Sequence, residues 1–240
     1  MAVKSVRPDS ILRRDIVEKT MLETGRKTII LMAFLLVIFL KGVWEYKKQY
    51  SEGLEVTGLT TKVFWGLYVT NFIFFIGVSH AGTLISAILR VTGADWRTPI
   101  TRLAEEITLL ALIFGAASVF IDLGHIDRVL NVIKYGNIDS PLVWDFISIA
   151  FYLVGSAIFL YLPLIPDFAY YRDNLDDSHK IRKAFYKFFA MGWQGTEEQY
   201  EILEKNITKM SYIIIPVAVS VHTVVSWIMS MTFRTGWSST

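Results

Sequence analysis

Among the residues of types that take and release protons, four stand out: His80, Glu105, Asp122 and His125. Asp122 and His125 stand three apart, so on a continuing helix they share one face. There the carboxylate can orient the imidazole and raise its basicity. Such a pair can accept a proton from a hydroquinone hydroxyl, since histidine titrates near neutral pH. A solvated helix end is the plainer reading of the same two residues, and both stay open. Asp145 opens a later apolar run, where it can join the pair or cap its own helix. Glu105 precedes Asp122 by about 25 Å of helix. The two carboxylates therefore belong at opposite ends, and a proton route between them needs relays, for which Thr108 and Ser118 are candidates. An acidic residue entering a helix also simply answers its dipole.

These residues sit in a chain with the composition of a membrane protein. Of 240 residues, 53% are hydrophobic and 19% charged, and mean hydropathy is +0.43. There is no cysteine. This chain alone therefore supplies no disulfide, thiolate zinc site or ligands for an iron–sulfur cluster. A net charge of +2, with the basic residues spread between apolar runs, points to no nucleic-acid partner. Every position from 63 to 89 is uncharged, between Lys62 and Arg90. That is enough for a span, yet it contains Asn71, Ser79, His80, Gly82, Thr83 and Ser86. Small residues there imply close helix packing, and an intramembrane histidine implies proton chemistry, ligation or an interhelical hydrogen bond.

The expected architecture is all-α and polytopic, with five transmembrane helices. Residues 1–27 read as a basic cytoplasmic tail. Residues 28–240 read as the membrane domain, with spans at about 28–46, 63–90, 103–124, 142–165 and 207–233. Pro163 and Pro166 suggest an irregular exit from the fourth. Residues 178–206 read as an amphipathic cytoplasmic segment, basic on some faces and rich in Phe and Tyr on others. Thr196-Glu-Glu-Gln199 has the pattern of a capping box. Lys and Arg crowd the tail, the second–third connection and the fourth–fifth connection. This asymmetry places the N-terminus inside and the C-terminus outside, in a cell inner or plasma membrane.

Trp65, Tyr68 and Phe72 are spaced to share a face in the outer half of the second span. They can flank a flat quinone ring, with Tyr68 or Asn71 hydrogen-bonding an oxygen. An interfacial belt and ordinary packing explain them equally well. His222 follows Pro216, which can kink the fifth span. A haem b would need paired axial histidines at similar depth, and His80, His125 and His222 establish no such pair.

The stretch Gly77-Val-Ser-His-Ala-Gly-Thr-Leu-Ile-Ser-Ala-Ile-Leu-Arg90, followed by Trp96-Arg97-x-Pro99-x-x-Arg102-x-x-Glu105, resembles the NrfD/polysulfide-reductase-like membrane proteins. The likeness is strongest to the core quinol-interacting membrane subunit of alternative complex III. It continues through Asp122-Leu-Gly-His125, Gly192-Trp-x-Gly195, Ser220-Val-His222-Thr-Val-Val-Ser226 and Gly236-Trp-Ser-Ser-Thr240. The resemblance implies a membrane subunit of a multisubunit quinol:acceptor oxidoreductase. Such a subunit binds menaquinol or ubiquinol near the outer face, holds neither haem nor iron–sulfur cluster, and exchanges electrons with an iron–sulfur subunit docked there. Molybdopterin-like or cytochrome c subunits are further partners it allows. By matching motif, His80, Glu105, Asp122 and His125 carry the quinol or proton-path assignment. Trp65, Tyr68, Asn71 and Asp145 are the expected quinone-binding residues, and no metal site is expected. Proton translocation is compatible with Glu105 on the inner side. The family commonly has more spans than five, so a second membrane subunit, or the rest of a longer product, is expected to complete the bundle. The rival readings are a haem b-binding anchor of a quinone-linked dehydrogenase and a purely structural anchor.

Overall fold

The computed structural model describes residues 25–60, 66–175 and 180–232. All regular structure among the described residues is helical. Five helices are long and apolar enough to cross a bilayer, and the chain is a multi-pass membrane protein. Trp65 and the Gly236–Thr240 motif lie outside the described residues, as does most of the N-terminal tail.

The chain divides into two units, residues 1–58 and 59–240. In the first, α1 runs from Arg26 to Glu52 and is followed by a 3₁₀ turn over Leu54–Thr57. Its 27 residues span about 40 Å. Gly42 does not interrupt it, and the helix carries on through the polar residues that follow Trp44 to its C-cap at Gly53.

The second unit contains α2 (Leu67–Val91), α3 (Thr98–Asp122), the short α4 (Asn131–Tyr135), α5 (Pro141–Asn174), α6 (Lys180–Phe189) and α7 (Glu197–Thr232). The four long helices form a ring: α2 packs on α3, α3 on α5, α5 on α7, and α7 back on α2. Each follows the last in the opposite sense. One end of the bundle thus gathers the start of α2, the end of α3, the start of α5 and the end of α7. The other gathers their opposite termini.

Side-chain spacing explains the ring. On α7, Leu203, Ile207, Ser211, Ile214, Ala218, Val221 and Ile228 are buried, most of them in steps of three and four. On α2 the buried stripe is Phe72, Ile76, Ser79, His80, Thr83, Ser86 and Ala87. The apolar core is closed by Leu112 of α3 and by Tyr152, Phe159, Ile165 and Ala169 of α5. Most of the stripe on α2, buried Gly82 included, is polar or small, because in a bilayer the contact between helices gains from close approach and hydrogen bonds rather than from burying apolar surface.

Pro163 and Pro166 do not end the fourth span. Helix α5 continues through both to Asn174. Burial of Ile165 and Ala169 beyond Pro163 keeps the segment against the bundle. Arg102 of α3 braces it, donating to the Pro163 carbonyl at 3.1 Å and pairing with Asp167 at 2.7 Å. The Thr196–Gln199 capping box forms before α7. The Gln199 amide donates to Thr196 Oγ1 at 3.3 Å, and Gln199 Oε1 accepts from the Gln194, Gly195 and Thr196 amides. The preceding turn seats Trp193 against Tyr200 and offers its carbonyl to Arg172.

Candidate functional site

His80 sits in the middle of the bundle, buried on α2. Its Nδ1 lies 2.7 Å from the Ile76 carbonyl on its own helix, and its Nε2 lies 2.7 Å from the Ala218 carbonyl on α7. Both partners are acceptors. A neutral imidazole has one N–H and satisfies one of them at a time, whereas the protonated ring donates to both. The ring also stacks on Tyr152 of α5 at 4.9 Å and meets the edge of His222 at 5.6 Å. With both nitrogens turned to carbonyls, His80 would have to break one of these contacts to ligate iron.

A second polar level lies one turn further along α2. Thr83 Oγ1 and the Tyr152 hydroxyl are 2.7 Å apart, and both residues are fully enclosed. Thr108 of α3 donates to the Ser79 carbonyl at 3.1 Å. The two helices approach this closely because residue 82 is glycine. A Cβ there would stand 2.7 Å from the Ala104 carbonyl oxygen and collide with Thr108 Oγ1.

The third level is Glu105. Its carboxylate is buried, and Ser86 Oγ donates to Oε1 at 2.5 Å. Around it the bundle end is rich in charge. Arg90 pairs with Glu204 of α7 at 3.0 Å, while its Nε is buried without a hydrogen-bond partner. From His80 to Ser86 is about 9 Å along α2. The polar column therefore joins a mid-membrane histidine to a carboxylate near one end. The two hydroxyls expected to act as relays within α3 are both turned to backbone carbonyls. Thr108 donates to the Ser79 carbonyl and Ser118 to the Phe114 carbonyl at 2.9 Å.

The opposite end holds Asp122, His125, Asp145, Tyr68 and Asn71. Asp122 and His125 do not share a helical face. Helix α3 ends at Asp122, and Gly124 at φ 69° turns the chain before His125. His125 Nδ1 instead stands 3.6 Å from Asp127 Oδ1, with the imidazole half-exposed. Asp122 is half-buried. Asp145, one turn into α5, has a buried Oδ1 with no hydrogen-bond partner. Tyr68 and Asn71 are half-buried on the first turns of α2, while Phe72 is in the core. Phe75 packs on Phe114 of α3 at 5.6 Å and on Phe74 at 5.4 Å, which gives these aromatics a packing role.

Tyr152, the residue that joins His80 to Thr83, is not singled out by the sequence. Its signal is faint: one phenol in a run of apolar residues, whose hydroxyl needs a partner in a bilayer. Ser86 reads in the sequence as a packing residue, yet it holds the Glu105 carboxylate.

Residues 55–239 match the family described as polysulphide reductase, NrfD. A putative dimethyl sulfoxide reductase membrane subunit from Halobacterium salinarum is 31% identical over 138 residues, 58% of this chain and 31% of that protein. A selenate reductase subunit from Mesobacillus selenatarsenatis is 26% identical over 200 residues, 80% of this chain and 45% of its own length. An Hdr-like menaquinol oxidoreductase integral membrane subunit from Archaeoglobus fulgidus is 27% identical over 132 residues, 53% of this chain and 33% of that protein. The aligned region spans less than half the length of each of these relatives. With all but the first helix falling inside the family match, this chain belongs to the NrfD, or polysulphide reductase, family of integral membrane proteins.

Proposed function

We propose that this chain is the quinol-handling membrane subunit of a respiratory oxidoreductase complex. The quinol site is placed at the bundle end that carries Asp122, His125 and Asp145. The observation that carries this reading is Asp145: a buried carboxylate oxygen without a partner, at the same end as two further proton-accepting side chains. A buried carboxylate oxygen left unpartnered is costly, and a ligand hydroxyl is a group that would satisfy it. Support also comes from the relative named as a menaquinol oxidoreductase integral membrane subunit.

A quinol supplies two electrons and two protons on oxidation. The electrons leave for an iron–sulfur subunit docked at that face. Asp122 and His125 take up the protons, Asp145 holds a hydroxyl, and Tyr68 and Asn71 orient the ring edge. This end is the outer one, because Arg90, Arg97, Arg102 and Arg172 gather at the other. That orientation puts the N-terminus inside and the C-terminus outside. If turnover moves protons across the membrane, His80, Thr83, Ser86 and Glu105 form the deeper part of the route. His222, exposed on α7, marks where a second membrane subunit packs, since a lipid-facing imidazole is unfavourable.

Photoaffinity labelling with an azido-quinone tests the site. Labelled peptides from the start of α2, the end of α3 and the start of α5 are expected. Labelling confined to the Glu105 end would overturn the placement.

A further inference from the structure

Helix α6 presents three separate faces. Its packing face is formed by Tyr186 and Phe189, three apart, with half-buried Lys183 at its edge. Phe168 of α5 meets Tyr186 at 6.2 Å and Phe189 at 5.7 Å, and the Tyr161 hydroxyl donates to the Phe189 carbonyl at 2.6 Å. The second face is apolar and open: Ile181 is 88% exposed, Phe188 77% and Phe185 52%. The third is basic. Lys180, Lys183, Ala184 and Lys187 line one groove along the helix. Lys183 also interacts with Asp173, whose carboxylate is already held by Arg172 at 2.6 and 2.8 Å.

At 100° per residue, the packing, apolar and basic faces are each turned about 120° from the others. A helix pinned to the bundle on one flank and apolar underneath lies in the plane of the membrane surface. Its other flank then stands at the level of lipid phosphates. We infer that Lys180, Lys183 and Lys187 bind the headgroup phosphate of an anionic phospholipid, with Ile181 and Phe188 inserted among its acyl chains. The paired faces favour a lipid over a soluble anion. Lysines alone would hold free phosphate, but large apolar side chains this exposed, on a protein already in a bilayer, need acyl chains beside them. This assignment is independent of the quinol reading.

The test is native mass spectrometry of the full-length protein, released from detergent micelles after titration with phosphatidylglycerol or phosphatidylcholine. Comparison is with the Lys180→Gln/Lys183→Gln/Lys187→Gln variant and its Lys→Arg counterpart. The wild type is expected to prefer phosphatidylglycerol at least tenfold. The Gln variant loses that preference, at about fivefold per lysine, while the Arg variant keeps it. Millimolar inorganic phosphate does not displace the lipid, and Ile181→Ser/Phe188→Ser weakens binding of both lipids. Equal retention of the two lipids by the wild type, an unchanged preference in the Gln variant, or displacement by inorganic phosphate would each overturn the proposal. Thermal unfolding of each variant checks that it is folded, and a Lys180→Gln/Lys187→Gln variant, which leaves half-buried Lys183 and its interaction with Asp173 in place, is expected to lose most of the preference.

Discussion

The Nε2 of His80 lies 2.7 Å from the carbonyl oxygen of Ala218, which ties the first long helix of the bundle to the last. A polar side chain here does two things. It fixes the approach of two membrane helices, and it places a group that can gain or lose a proton deep in the apolar layer. The Tyr152 ring stacked on it makes α5 the third wall of the same site.

Replacing His80 by alanine removes both carbonyl contacts and the stack. The expected loss is ~1–3 kcal/mol, read as a lower Tm in detergent micelles. Tyr152→Phe keeps the stacked ring and deletes only the hydroxyl, which contacts Thr83, Ser79 and Ser156, and its cost is smaller, about 1 kcal/mol. Equal effects would mean that the histidine is a spectator.

Gly82 and Gly77 lie on the same helix in different surroundings. A methyl group at 82 meets the Ala104 carbonyl and Thr108, whereas at 77 it meets nothing within 4 Å. Gly82→Ala is expected to cost ~1–3 kcal/mol by forcing α2 and α3 apart. Gly77→Ala is expected to be neutral or to gain up to ~1 kcal/mol. Thermal unfolding of the two variants side by side checks this.

Glu105 offers a separation of structure from chemistry. Glu105→Gln keeps an acceptor for Ser86 Oγ, so Tm is expected to hold. Glu105→Leu leaves that hydroxyl without its partner and is expected to cost ~1–3 kcal/mol. On the proton-route reading, the Gln variant also slows quinol turnover at least ~10-fold. Wild-type turnover in Glu105→Gln would limit this residue to holding α2 and α3 together.

Asp145 is expected to trade stability for function. Asp145→Leu removes a buried, unpartnered carboxylate oxygen and is expected to raise stability by about 1 kcal/mol. The same change is expected to weaken azido-quinone labelling at that end. Loss of stability with undiminished labelling would show that the carboxylate serves the fold alone.

The sequence displays the membrane helices because long uncharged runs can be read locally. The capping box is equally local, since Thr196 and Gln199 complete it within four residues. The fate of Pro163 and Pro166 is not local. It depends on Arg102, a residue on another helix, reaching the Pro163 carbonyl and Asp167. His80 stands out as a histidine in an apolar run, but nothing near it in sequence names Ala218 or Tyr152. Asp122 and His125 show the opposite fault. Their spacing suggests a shared face, and one glycine with positive φ separates them. Site residues supplied by different helices are set by packing, which a linear pattern does not encode.

The central claim is that quinol is oxidised at the end of the bundle bearing Asp122. It is tested most directly by steady-state quinol oxidation in the purified complex carrying Asp122→Asn, with the complement of subunits checked alongside. The account predicts a fall in turnover of about 100-fold or more with every subunit retained. Turnover within about twofold of wild type in a fully assembled complex would contradict it.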